Sequence, residues 1–313
     1  MAKRLRSAVT GASSSRKRAH DPTPSPSSSE TSQSATRSAS QSGSEYMEEE
    51  EDVVGPIIAD SQKMADAIAY FSSKRIENTR AVDLDILEKI GILEPFLAIS
   101  EKGGIMRKFW DIKRPAYKRL TVEFLSSLTV QEEDEVFVMR YRLLDTDYET
   151  DALELCEYMG FTPGGEYKGK YSSNLWGQIS GDTGKAGEQP KGKSIQHPVI
   201  RIMQRALSNT LFARGESSSK IRKEEFMVLT RMLYGVANYP KLDLGVMMMK
   251  YWEGIAKLRR KGEGQVTIGG YVTYLAEMNG IPLARLEDLT ECTAVRYGCL
   301  TVSLSCKHHA TRP

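Results

Sequence analysis

Residues His197–Leu244 decide how this chain folds; they read HPVIRIMQRALSNTLFARGESSSKIRKEEFMVLTRMLYGVANYPKLDL. Apolar residues recur every three or four positions on both sides of the centre, which predicts two amphipathic helices. Pro198 suits the first turn of the first helix, because the N–H that it lacks would have no helical partner there. The polar turn Arg214–Ser219 separates the two helices, and neither carries a catalytic constellation. The stretch therefore predicts a packed scaffold.

The rest of the C-terminal half continues the helical pattern. The second helix of the quoted stretch is predicted at Lys223–Val236, and Asp243 is suited to cap a third helix that ends near Arg259–Lys261. Cations at that end complement the negative end of the helix dipole. A last helix, Tyr271–Asn279, follows the pair Gly269-Gly270.

Four shorter helices are predicted upstream. Ser61 and Asp83 are suited as N-caps of the first two, a third begins at Leu93, and Pro115 begins the fourth. The first three have too few turns to be stable without neighbours. We therefore expect them to pack against the rest of the chain.

The best predicted strand is Glu135–Leu144, where β-branched and aromatic residues alternate with arginines. A short return strand at Tyr148-Glu149 leads into a helix that Thr150 or Asp151 caps and Gly160 ends. Together these elements predict a mainly α fold with a small β-hairpin (α+β), behind a disordered N-terminal tail.

Composition divides the chain into five segments. They are a disordered Ser/Pro-rich tail with an acidic linker (1–58), a helical subdomain with the hairpin (59–161), a flexible Gly/Lys-rich loop (162–194), a second helical subdomain (195–281) and an irregular tail (282–313). The N-terminal tail has too few large apolar residues to offset the entropy cost of ordering it. The remainder is long enough for one large or two small cores.

Charge, cysteine and hydropathy patterns limit the compartment. The formal net charge is only +2, but Arg16-Lys17-Arg18 in the basic tail predicts a nuclear import signal. Four cysteines suggest no disulfide framework, and the N-terminus lacks the apolar run of a secretory signal. No stretch approaches the roughly 18 apolar residues of a membrane span. We therefore expect a protein of the nucleus, or otherwise of the cytoplasm, that is neither secreted nor in a membrane.

Motifs typical of enzymes are present only in part. Asp182-Thr183-Gly184 matches the core of retroviral-type aspartic proteases, but Ser and Gly precede it where such an aspartate follows an apolar strand. Gly184-Lys185 lacks the first glycine and the Ser/Thr of a phosphate-binding loop. His197 precedes a helix and is more typical of a capping or packing residue than of a base. We expect no catalytic residue, no cofactor and no small-molecule substrate.

The sequence indicates metal binding no more strongly than it indicates catalysis. Asp145, Asp147 and Asp151 have turn and cap positions that explain them without a Mg²⁺ ion. Thiols and imidazoles of the C-terminal tail mostly lack the two-to-four-residue spacing of zinc ligands; they are Cys292, Cys299, Cys306, His308 and His309. We expect no metal site.

The Gly/Lys-rich loop carries the candidate residues for nucleic-acid contact. Its aromatic residues alternate with cations, a mixture that stacks bases and neutralises phosphates. The candidates are Lys168, Lys170, Tyr171, Trp176, Lys185, Lys191 and Lys193. The simpler interpretation is a solvated linker, since three carboxylates dilute the charge. A helix face with Arg201, Arg205 and Arg214 is likewise more typical of solvent exposure than of binding.

Ordered blocks of sequence stand on both sides of this loop. Upstream they are Arg114–Tyr117, Thr121–Leu125 and Tyr158–Phe161; downstream they are His197–Arg201, Thr210–Ser217, Arg222–Phe226, Lys241–Gly245 and Gly269-Gly270. In this order they resemble the first-open-reading-frame protein of Athila-type plant retrotransposons. The resemblance spans about residues 65–281, and the tail from about Leu283 does not extend it, which suggests a truncated or degenerate copy.

The resemblance implies a protein encoded by, or derived from, a gypsy-class element of a plant genome. No catalytic residue carries over, because that family has no established activity. We therefore expect a retrotransposon-derived structural or interaction protein without catalytic activity, which associates with itself or binds nucleic acid. The alternatives are a host nuclear protein that was recruited from such an element to bind DNA or chromatin, and a retroelement enzyme of the hydrolase or protease type.

Overall fold

The computed structural model describes residues 56–169, 174–180, 191–214, 220–235, 238–257 and 265–282. The predicted N-terminal tail up to residue 55 and the C-terminal tail from residue 283 lie outside the described residues, as does the cationic helix end at Arg259–Lys261.

Helices dominate the described part of the chain, together with short strands. The helices are α1 (Gln62–Ser72), α2 (Leu84–Lys89), α3 (Leu93–Lys102), α4 (Arg107–Trp110), α5 (Lys118–Ser127), α6 (Ala152–Met159), α7 (Leu175–Ser180), α8 (Pro198–Asn209), α9 (Lys223–Tyr234), α10 (Leu244–Lys257) and α11 (Gly269–Met278). The strands are β1 (Arg75–Ile76), β2 (Thr129–Glu133), β3 (Val136–Leu143), β4 (Thr146–Asp151) and β5 (Gln265–Val266). The predicted fold class, mainly α with a small β element, is confirmed.

The β element is an antiparallel sheet of three strands in the order β2-β3-β4. The predicted hairpin corresponds to β3 and β4, and β2 is an addition to it. Only one residue of β2 is buried, so its sequence shows no clear alternation. Two-residue turns with positive φ, Asp134-Glu135 and Leu144-Asp145, connect the strands, as in hairpins whose turns match the strand twist. Separately, β1 and β5 pair in parallel.

Buried Glu123 of α5 holds the second of these turns. Its carboxylate accepts the backbone N–H of Leu144 at 2.8 Å and that of Asp145 at 2.7 Å. A left-handed backbone costs a residue such as leucine roughly 1–2 kcal/mol, and these charge-assisted bonds offset that cost. Burial raises the pKa of the Glu123 carboxyl group, while the two N–H groups act in the opposite direction.

Helix ends follow the predicted capping residues. Ser61, Asp83, Asp151 and Asp243 each accept, with a side-chain oxygen, the backbone N–H of the residue three positions ahead, at 3.2, 3.1, 2.7 and 2.9 Å respectively. Gly160 ends α6 in the left-handed conformation, at φ 73°. These predictions are confirmed because capping depends on residues that are close in sequence.

The helix predicted from Pro115 begins three residues later, at Lys118. The backbone N–H of Ala116 donates to Asn78 Oδ1 at 2.7 Å. This contact with a distant residue holds the chain before α5 outside the helix. The prediction of Pro115 as the first helical residue was therefore wrong.

One continuous hydrophobic core includes buried residues from both sides of the Gly/Lys-rich segment. Helix α10 packs against α5 and α6, while α3 packs against α8 and α9. The division of the chain into two subdomains at residues 162–194 stays a prediction. Within that segment lies α7, a helix that the sequence analysis did not predict. It buries Leu175 and Ile179, one turn apart, and is too short for a helical period to be recognised.

Gly269 brings the start of α11 directly against the chain before α5. A β-carbon on Gly269 would lie 2.3 Å from Cβ of Ala116. The Thr273 hydroxyl donates to the Pro115 carbonyl at 2.7 Å across the same contact. Two of the ordered blocks, far apart in sequence, therefore contact each other in the fold.

We expect Gly269→Ala to lower the free energy of unfolding by about 1–3 kcal/mol, because its neighbours must shift to admit the methyl group. Gly254→Ala is the matched control, since Gly254 also lies in a helix but an added Cβ would meet nothing within 4 Å. Alanine there should stabilise the protein by about 0.5–1 kcal/mol. Urea unfolding followed by circular dichroism measures both, and equal effects would contradict the close approach.

Candidate nucleic-acid interface

Of the seven predicted contact residues, Lys168, Trp176, Lys191 and Lys193 lie within the described part of the chain. Lys170, Tyr171 and Lys185 lie outside it. The three described lysines are exposed, whereas Trp176 is half-buried.

Lys168 is positioned beside the three-stranded sheet. Its ammonium group lies 4.8 Å from the centre of the Tyr167 ring. That ring contacts Phe137 of β3 edge to face, at 5.0 Å between centroids. The pKa of Lys168 is raised, chiefly by its contact with Tyr167, so the side chain keeps its positive charge.

Lys191 and Lys193 are positioned against α8. Lys191 forms an antiparallel bridge with Lys220, and Lys193 belongs to a 3-10 turn, Gly192–Ser194, that contacts α8. An added Cβ on Gly192 would lie 2.4 Å from Oε1 of Gln204, so the turn approaches the helix closely at this glycine. Lys168 and this lysine pair thus rest on different elements.

Trp176 of α7 contributes to the core. Its indole ring lies 6.1 Å from the ring of Phe226 in α9, and both residues contact the hydrophobic core. Part of the ring that was predicted to stack on bases therefore packs against protein.

The three arginines on the predicted polar face have different surroundings. Arg205 is exposed. Arg201 is half-buried and donates from Nε to the Ile195 carbonyl at 2.7 Å. The Arg214 side chain is only 5% exposed and forms an ion pair with fully buried Glu225. The expectation of a solvated face was therefore wrong for Arg214.

The Arg214–Glu225 pair joins the chain on both sides of the polar turn between α8 and α9. Arg214 also donates to the Lys220 carbonyl at 2.7 Å. The Glu225 carboxylate also accepts hydrogen bonds from Nε2 of Gln204 at 3.1 Å and from the backbone N–H of Arg222 at 3.4 Å. The pair therefore fixes the chain just after α8 to the first turn of α9, which is a structural role.

The three aspartates considered for Mg²⁺ have separate partners. Asp145 pairs with Arg119 at 2.8 Å, and Asp147 pairs with Arg142 at 2.9 Å. Asp151 caps α6, as noted above. Across the described ranges, no group of three or more His, Cys, Asp or Glu side chains is arranged to hold a metal ion.

The remaining candidates divide between described and undescribed residues. His197 is exposed and occupies the N-cap position of α8, but its side chain makes no capping hydrogen bond. Asp182-Thr183-Gly184, Lys185 and the import cluster Arg16, Lys17 and Arg18 lie outside the described residues. So do the C-terminal residues Cys292, Cys299, Cys306, His308 and His309, and expectations about all of them stay predictions.

A cavity of about 370 Å³ lies between α1, the beginning of α9, α10 and β5. We call it the α1–α10 cavity. Its lining includes Tyr70, Lys74, Arg222, Lys250, Tyr251 and Gly254. No sequence motif indicated this group, because its members come from three separate stretches of the chain.

A sequence model of the ATHILA ORF-1 family matches residues 43–311. The chain belongs to the ATHILA ORF-1 family. The match runs past Leu283, so the expectation that the C-terminal tail departs from the family pattern was wrong. No curated protein and no solved structure matches the chain significantly.

Several blocks that resembled ATHILA ORF-1 proteins have structural roles in this fold. Arg214 and Glu225 join the chain after α8 to α9, and Gly269 allows α11 to approach Ala116. None of the described helices combines the length and apolar character needed to cross a lipid bilayer.

We expect Arg214→Met to lower the free energy of unfolding of this ATHILA ORF-1 protein by about 3–5 kcal/mol, since it leaves the buried Glu225 carboxylate without its cation. Arg205→Met, at an exposed position of α8, is the matched control and should stay within about 0.5 kcal/mol of the unchanged protein. Thermal and urea unfolding measure both. A small loss for both variants would show that the ion pair does not hold the chain after α8 against α9.

Cys156 should be unreactive in the folded protein. Burial, reinforced by the nearby charge of Asp243, raises the pKa of its thiol to about 12, so almost no thiolate forms near neutral pH. In a variant with Cys292→Ser, Cys299→Ser and Cys306→Ser, a disulfide reagent such as DTNB should label the protein slowly in buffer and rapidly in urea. Rapid labelling of the folded variant would show that the Cys156 thiol is accessible and reactive, contrary to this prediction.

Proposed function

We propose that this retrotransposon-derived protein is a non-enzymatic interaction protein that binds nucleic acid, with phosphate contacts from Lys168, Lys191 and Lys193. The family supports the origin, and the surface charges described below support the binding. An RNA or DNA strand of the element is the partner of matching chemistry.

The supporting observation is a contrast between two groups of cations. Arg140 is engaged by Glu133 at 2.5 Å and by Glu149 at 2.7 Å, and Arg214 is buried with its carboxylate. Lys168, Lys191 and Lys193 are exposed, and none of them forms an ion pair with a described carboxylate. Their charge is therefore accessible to an external anion.

Lysine side chains favour binding without sequence preference. An ammonium group is a flexible point charge that contacts phosphate from many directions. Phosphate contacts position a protein on nucleic acid, whereas base contacts specify sequence. The proposed binding is therefore independent of sequence and falls steeply as salt increases.

The triple variant Lys168→Gln, Lys191→Gln, Lys193→Gln should bind single-stranded oligonucleotides more weakly. Three lost phosphate contacts should reduce the slope of log K against log salt by about 2, at roughly 0.7 for each contact. Fluorescence anisotropy with labelled RNA and DNA across a range of salt concentrations measures the slope.

The matched control replaces three other exposed lysines: Lys89→Gln, Lys102→Gln and Lys118→Gln. It changes the net charge by the same amount, so it separates these positions from the total charge. Equal slopes for the two triple variants, or no binding by the unchanged protein at low salt, would reject the proposal. Self-association and location in the nucleus stay predictions from the sequence.

A further inference from the structure

We propose that the α1–α10 cavity is a nucleotide-binding site, in which cationic side chains hold a phosphate and tyrosine rings contact the base. The cavity includes none of the three lysines discussed above, so this inference does not depend on the proposed function. It rests on the charge, the aromatic rings and the open space of the cavity.

The described walls of the cavity carry three cations and no carboxylate. They are Lys74 just after α1, Arg222 at the N-cap of α9 and Lys250 of α10. The Lys74 ammonium group lies 4.4 Å from the centre of the Tyr70 ring, so the cation and the ring are adjacent in the cavity wall. Glu253 contacts Lys250 at 3.4 Å, but it lies closer to Lys257, at 2.7 Å, and does not line the cavity. A concave site with walls of one sign concentrates ligands of the opposite charge. The favoured ligand is therefore an anion.

Two tyrosine rings give the cavity its aromatic side. The Tyr70 ring contacts Phe71 edge to face at 5.0 Å, and the Tyr251 ring contacts Phe212 in the same way at 5.8 Å. Phe71 and Phe212 are buried, so each tyrosine is fixed on the core while part of it faces the cavity. Fixed aromatic rings beside cations are the combination that binds a base together with its phosphate.

Gly254 leaves the space that a ligand would occupy. It lies one turn after Lys250 on α10, and an added Cβ would meet nothing within 4 Å. The volume of about 370 Å³ falls within the range of small-molecule sites, which is roughly 300–1,000 Å³. A side chain at this position would therefore fill the cavity without a clash in the core.

The experiment titrates the full chain by calorimetry at low salt with three probes: adenosine monophosphate, inorganic phosphate and single-stranded octathymidylate. Gly254→Leu should weaken nucleotide binding at least tenfold and keep the fold, since leucine favours a helix more than glycine does. Ala98→Leu, at an exposed position of α3, is the matched control and should bind as the unchanged protein does. The double variant Lys74→Gln, Arg222→Gln should also weaken binding, because it removes two positive charges from the cavity without filling it.

The probes separate the possible sources of the nucleotide. Binding of adenosine monophosphate indicates a free nucleotide, while binding of octathymidylate alone indicates a nucleotide within a strand. The octathymidylate titration uses Lys168→Gln, Lys191→Gln, Lys193→Gln as background, so that contacts at those lysines do not obscure the cavity. Unchanged affinity in Gly254→Leu, phosphate binding as tight as that of the nucleotide, or no binding of any probe would overturn the proposal.

Discussion

A row of contacting aromatic rings joins parts of this protein that are far apart in sequence. Phe124 of α5 lies 5.7 Å from Trp252 of α10, which lies 6.2 Å from Tyr271 of α11. Tyr271 in turn stacks on Phe109 of α4 at 5.8 Å. Such pairs contribute roughly 0.5–1.5 kcal/mol each beyond the area that they bury. Because each ring belongs to a different helix, this row joins α4, α5, α10 and α11. Helix α5 in turn places Glu123 at the turn between β3 and β4, and α10 contributes Lys250 and Gly254 to the α1–α10 cavity.

Buried charges in this protein hold connections between elements. Glu123 binds the backbone of the turn between β3 and β4, and the Arg214–Glu225 pair joins the two sides of the turn between α8 and α9. A buried charge is costly unless it is paired or hydrogen-bonded, so these groups are strongly constrained in position. Glu123, Arg214 and Glu225 all belong to the sequence blocks that resemble the family. Their roles in this fold are structural.

The fold exposes only part of the described residue set that the sequence selected for nucleic-acid contact. Residue type and spacing identified Lys168, Lys191 and Lys193, which the fold exposes. The same pattern selected Trp176, whose ring packs on Phe226. A sequence pattern records which side chains have the right chemistry, whereas burial decides whether they are accessible. The α1–α10 cavity was missed because its cations and rings come together only when α1, α9 and α10 pack.

The sequence by itself determined the fold class and several helix starts, including the caps at Ser61 and Asp243. A capping hydrogen bond joins atoms only three residues apart, so its signal is local. Tertiary structure alone decided that β2 joins the sheet, that Arg214 is buried and that the helix of Pro115 begins late. Each of these outcomes depends on a neighbour distant in sequence. The helical period shows which face of a helix is apolar, but it contains no information about which other face will cover it.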